Sequence, residues 1–140
     1  MSWVMYAILS AFFASLVAIW GKIGIKGVDS NLAVAIRTII IVVFAWGIVF
    51  LQGNFSDIFK ISKHSYIFIV LSAIATGLSW MFYYKALQMG QASRVAPIDK
   101  LSIALTIILA FIFLNEKPTL GNILGGSLVV IGVLITALVK

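Results

Sequence analysis

The chain has no cysteine and a single histidine, His64, among its 140 residues. The first absence excludes a disulfide framework and any thiolate metal site. The second leaves no histidine cluster to hold zinc or iron. Acidic residues are nearly as scarce, since Asp29, Asp57, Asp99 and Glu116 are the only 4. Charged residues of both signs make up 10% of the chain, against about 25% in a soluble domain. No Walker loop, nucleophile elbow or HExxH motif occurs, and nothing pairs a nucleophile with a base. An ATPase, hydrolase or zinc protease is therefore not expected. Neither is any other enzyme, cofactor or metal site.

What the chain has in quantity is apolar sequence. It is 63% hydrophobic, with a mean hydropathy of +1.18. A water-soluble fold could not cover so much apolar surface, so the expected class is integral membrane. The net charge of +6 comes from basic residues scattered singly between apolar runs. They form no patch with interleaved aromatics, so no nucleic-acid partner is expected. Loop charges that orient the chain in a bilayer explain them better.

A helix needs about 20 apolar residues to cross the hydrocarbon core. Five runs qualify: 3–20, 32–51, 66–84, 95–114 and 120–139. The runs are continuous rather than alternating, which argues against a barrel. The fold class is therefore all-α, with five membrane-spanning helices in one domain over residues 1–140. The opening MSWVMYAILS lacks a basic leader, so it reads as a retained helix rather than a cleaved signal. The connections GKIGIKGVDSN, QGNFSDIFKISKHS, KALQMGQASR and NEKPT carry turn residues. His64 and the Glu116-Lys117 pair are expected in solvated loops. The sequon at Asn54-Phe55-Ser56 is a three-residue match with nothing else to support it.

Five spans put the two termini on opposite sides. Lys60, Lys63 and Lys117 fall on the N-terminal side; Lys22, Lys26, Lys85, Arg94 and Lys140 fall on the other. Three against five leans towards an outside N-terminus. So small a bias is also what a chain inserted in both orientations would carry.

Charges inside the spans carry the functional signal. An ionisable side chain at a helix centre costs about 2.5–3.5 kcal/mol on insertion scales. Arg37 stands in the second run, and Asp99 and Lys100 stand at the head of the fourth. Each lies about five residues in from the same side of the membrane, at a depth of roughly 8 Å. An Arg37–Asp99 pair would relieve both charges. Lys100 and Arg37 could instead snorkel to the headgroups, which Asp99 is too short to do. Asp99, Ser102 and Thr106 share one face of the fourth span and resemble a pathway lining. Ser72, Thr76, Trp80 and Tyr83/Tyr84 run similarly along the third. There Trp80 is deep enough to line a cavity and to hold a substrate amine by cation–π contact, while Tyr84 suits the interfacial belt. Gly121 and Gly125 form GxxxG on the fifth span, followed by Gly126 and Gly132, and are expected to serve helix packing or dimerisation. Ser10, Ala14, Ala18 and Gly21 make a second smooth stripe on the first span.

The segment from Gly77 to Ile135, GLSWMFYYKALQMGQASRVAPIDKLSIALTIILAFIFLNEKPTLGNILGGSLVVIGVLI, resembles the C-terminal part of an EamA-type domain of the drug/metabolite transporter superfamily. The features that match are Tyr-Tyr-x-Ala-Leu closing the third span, Ala-Ser-Arg before the fourth, Leu-x-Glu after it and the glycine-rich fifth. Arg37 and WGKIGIK fit the same pattern. Where many such domains carry Glu-Pro in the fourth helix, this chain carries Ser102-Ile103. Its proline comes earlier, as Pro97.

The resemblance implies one half of a ten-helix transporter of inverted repeats. A half has nothing to rock against. It therefore implies a dimer, either two copies of opposed topology or a heterodimer with another five-helix protein, with the last helix at the dimer contact. The function implied is secondary transport of small organic solutes across the cell (inner) membrane. Asp99, Lys100, Arg37, Trp80, Tyr83, Ser102 and Thr106 would then lie on the substrate or ion pathway. The alternatives are a non-transporting subunit of a larger complex and a lipid-carrier flippase component.

Overall fold

The computed structural model describes residues 2–139, and these are helical almost throughout. Among the described residues, five helices are long and apolar enough to cross a membrane, as the composition requires. They run α1 (Trp3–Gly24), α2 (Ser30–Leu51), α3 (Lys63–Met89), the pair α4 (Ala92–Asp99) and α5 (Leu101–Leu114), and α6 (Leu120–Leu138). A 3₁₀ turn, Phe55–Lys60, lies between α2 and α3. The chain divides into two compact units, residues 1–88 and 89–140.

The helices begin and end where local chemistry allows. Asp29 caps α2, its carboxylate accepting from the amides of Asn31 at 2.9 Å and Leu32 at 3.0 Å. Ser62 accepts from the Ser65 amide at 3.0 Å at the start of α3. Thr119 accepts from the Asn122 amide at 3.2 Å at the start of α6. Asn115 ends α5 in the left-handed region, φ 54°, a conformation asparagine tolerates better than most residues.

Three expectations need correction. The helices overrun the apolar stretches, and α3 reaches back to Lys63 and on to Met89. Hydropathy marks where the hydrocarbon ends, but backbone hydrogen bonding continues into the polar flanks. His64 is accordingly in the first turn of α3 rather than in a loop, its ring 4.8 Å from that of Phe68. The fourth span is not one continuous helix, because it breaks at Lys100 between α4 and α5. Pro97 lies inside α4 and has no amide hydrogen to continue the ladder. The Lys100 amide bonds the Pro97 carbonyl at 2.9 Å, and the Ile103 amide bonds the Lys100 carbonyl at 3.0 Å. Both are the tighter three-residue pattern, with Lys100 at ψ −3°, so the helix shifts register there.

The first unit packs at one end. Ala18, Gly21 and Ile25 near the close of α1, Ser30 and Val34 at the start of α2, and Tyr84 and Leu87 at the close of α3 are buried. A side chain added at Gly21 would stand 3.0 Å from the Tyr84 hydroxyl, so glycine lets the ring lie on α1 without displacement. The end of α3 is also tied down by hydrogen bonds. Lys22 Nζ donates to the Leu87 carbonyl, and Gln88 Nε2 donates to the Val28 carbonyl at 2.9 Å. In the second unit, α6 packs on α4 and α5, with Gly126 buried. A Cβ at Gly126 would approach Ile107 Cδ1 to 2.9 Å. Val133 of α6 is buried as well, and most of the remaining large apolar side chains of the five spans are exposed, as suits helices whose solvent is lipid.

Candidate functional site

Arg37 stands seven residues beyond the start of α2 (37 − 30), about 10 Å along the helix. Its guanidinium carbon sits 4.4 Å from the centre of the Trp80 ring and 5.1 Å from that of Tyr84. Trp80 and Tyr84 are one turn apart on α3, so their faces form a continuous wall. The wall is fixed from behind by the Tyr84–Gly21 contact. Stacking on π-faces holds a cation without neutralising it. Nη1 is buried and has no hydrogen-bond acceptor among the described residues. The guanidinium is therefore held against the two rings.

This arrangement changes what Trp80 offers. One face of its ring already carries the chain's own cation. Tyr84, read from the sequence as an interfacial residue, is 5% exposed and forms the second half of the wall. Tyr83 meets Tyr84 edge-on, with ring centres 6.2 Å apart. The signal for Tyr84 was present in the sequence as the four-residue spacing from Trp80, but its nearness to the membrane end masked it.

Beside the guanidinium, a groove of about 520 Å³ runs between α1 and α2. Val17, Trp20, Ile25, Ile36 and Ile40 give it an apolar lining, and Arg37 is the only charged residue on it. The sequence marked Trp20 only as the first residue of WGKIGIK and not as a site residue, and it stands outside the small-residue stripe of α1.

In the second unit, Asp99 and Lys100 lie at the break. Lys100 Nζ donates to Asp99 Oδ2 at 3.1 Å, so each charge has a partner in its neighbour. Asp99 is the last residue of α4 and Lys100 the junction before α5, which puts the pair where the backbone departs from regular helix. Ser102 and Thr106 follow on α5 and are exposed. Thr106 also borders a small cavity of about 120 Å³ with Glu116, Lys117 and Asn122. On α3 the Thr76 hydroxyl bonds the Ser72 carbonyl at 2.8 Å, returning to its own helix. Arg37 belongs to the first unit and Asp99 to the second.

The four glycines of α6 divide into two sets. Gly126 faces Ile107, as described. A Cβ at Gly125 or Gly132 would meet nothing within 4 Å, and one at Gly121 only the Thr119 hydroxyl at 3.7 Å. Gly121, Gly125 and Gly132 fall within roughly 40° of one another around the helix, so they form one open strip.

Residues 1–138 match the EamA-like transporter family. The chain belongs to that family. This EamA-like chain is thus a multi-pass membrane protein of the drug/metabolite transporter superfamily. It is 41% identical over 136 residues to a protein of Sinorhizobium sp named as an uncharacterized transporter in the cobO 3′ region, covering 97% of this chain and 96% of the other. It is also 32% identical over 69 residues to an uncharacterized protein of Methanocaldococcus jannaschii, about half of each chain. No solved structure matches it.

Proposed function

We propose that this EamA-like chain is a secondary active transporter of small organic solutes, working by alternating access in the cell (inner) membrane as a dimer of opposed copies. The observation that carries this reading is the break of the fourth span at an ion pair. Transporters build their sites on interrupted helices, where backbone groups leave the ladder and face the pathway. Intramembrane charges serve such pathways more often than they serve stability. Asp99 is the principal residue, as proton carrier or gate, with Lys100 as its counter-ion. Arg37, Trp80, Tyr83, Ser102 and Thr106 would be the other residues of the substrate or ion pathway.

The dimer is supported by the open strip of Gly121, Gly125 and Gly132, against which a second helix backbone could close. Opposed insertion is supported by the near-even split of basic residues. Five spans are also the complement of one repeat in a two-repeat transporter.

Asp99→Asn tests the central role. The purified chain, alone in liposomes, is expected to move solute down an imposed proton gradient. The variant should insert normally and lose at least tenfold in flux. Full flux in the variant removes Asp99 from the mechanism. No flux from the unmodified chain alone favours a non-transporting subunit of a larger assembly.

A further inference from the structure

The groove between α1 and α2 combines two properties that call for the same occupant. Its walls are apolar, from Val17 and Trp20 on α1 to Ile36 and Ile40 on α2. The one charge on it is the Arg37 guanidinium, a planar fork of five donors built to grip a carboxylate or phosphate. Trp80 and Tyr84 hold that fork in place, yet rings accept little hydrogen bonding, and buried Nη1 has no acceptor among the described residues. A fixed cation with unused donors at low dielectric attracts an acidic oxygen. Apolar walls running on from it attract a hydrocarbon chain.

Charge complementarity excludes a cationic head, and a small polar solute would leave the walls unmatched. An apolar helix of a second copy would fill the walls but leave the guanidinium unanswered. Depth agrees as well. Arg37 lies about 10 Å along α2 from its start, so its head-reading group is at the inner edge of the interface, where a lipid phosphate can be drawn in. Lys22 and Lys26 bound a neighbouring cavity nearer the helix ends and add positive potential on the same approach.

We propose that this groove is a binding site for an anionic membrane lipid, its phosphate on Arg37 and one acyl chain along α1 and α2. The site does not depend on the transport reading. It would hold equally if the chain moved nothing.

The test uses the full chain carrying Trp3→Phe and Trp46→Phe, so that Trp20 in the groove wall and Trp80 behind Arg37 report. It is reconstituted in vesicles of phosphatidylcholine with either brominated-chain phosphatidic acid or brominated-chain phosphatidylcholine at equal mole fraction. Bromine quenches tryptophan on contact. Phosphatidic acid should quench at least twofold more than phosphatidylcholine. Arg37→Gln should abolish that excess. Gly24→Leu should also remove it, since Gly24 lines the groove and a Cβ there meets nothing within 4 Å. This second variant fills the groove with Arg37 intact, and it decides the matter should Arg37→Gln fail to fold. Equal quenching by the two lipids, or an excess that survives Gly24→Leu, overturns the inference. A chain that shows the excess yet transports nothing keeps this site and loses the transport reading. A transporting chain without the excess does the reverse.

Discussion

Arg37 is a cation whose nearest neighbours are rings. A desolvated cation–π contact is worth about 2 kcal/mol, and an exposed one about 0.5–1. Trp80→Leu keeps most of the volume and removes the quadrupole. It should lower stability in detergent by roughly 0.5–2 kcal/mol, with Trp80→Phe losing less. Because the two residues touch, the double variant Arg37→Met/Trp80→Leu should cost less than the sum of the single ones. Additive costs, measured as unfolding midpoints, would show that the stacking contributes nothing. The sequence made Arg37 and Trp80 legible one at a time, through a charge in an apolar run and a large aromatic at depth. It could not make their contact legible, because that depends on how α2 and α3 are rotated. The rotation follows from Gly21 admitting Tyr84, and a glycine in a membrane helix is too common to announce such a role.

At the scale of elements, the packing of α6 on α5 turns on one close approach. Gly126→Ala would bring a methyl to about the 2.9 Å separation from Ile107 Cδ1. Overpacking costs about 1–3 kcal/mol where the neighbour is rigid, and the cost here falls at or below the lower end because the terminal methyl of Ile107 can swing aside. Ile107→Val removes the offending carbon, so the pair Gly126→Ala/Ile107→Val should recover most of the lost midpoint. No recovery would place the strain elsewhere. Gly125→Ala and Gly132→Ala should not lower the isolated chain's stability, since both positions are open and alanine is the better helix former by up to about 1 kcal/mol, and should weaken only association between copies. Periodicity and composition made the five spans legible from the sequence, but not this division among adjacent glycines. Gly125 and Gly126 differ by one step around the helix, and only the placement of α5 tells which is covered. The break in the fourth span was half legible. Pro97 was visible, but a proline in a first turn need not interrupt a helix. What completes the break is the change to three-residue hydrogen bonding around Lys100.

For the whole molecule, the open question is orientation. Reporter fusions at the C-terminus should give signal from both sides of the membrane if copies insert in opposed directions. Lys22→Gln would disturb the tie to Leu87, so the better lever is on the opposite loop. Adding two lysines in the exposed turn Phe55–Lys60 should level the charge split and shift the ratio of the two signals severalfold. One-sided signal that this change does not move would require a separate five-helix partner. The membrane class, the spans and the family were legible because they rest on composition and order. The partner was not, because a surface of lipid-facing side chains resembles a surface waiting for another helix. The wall beneath Arg37 also bears on how the chain is made. Trp80 follows Arg37 by 43 residues (80 − 37), and synthesis at about 5–20 residues per second separates them by roughly 2–9 s. For that interval the first helical hairpin must carry a guanidinium with no ring to rest on. Its insertion is therefore provisional, and it is completed only when the third span arrives from the ribosome.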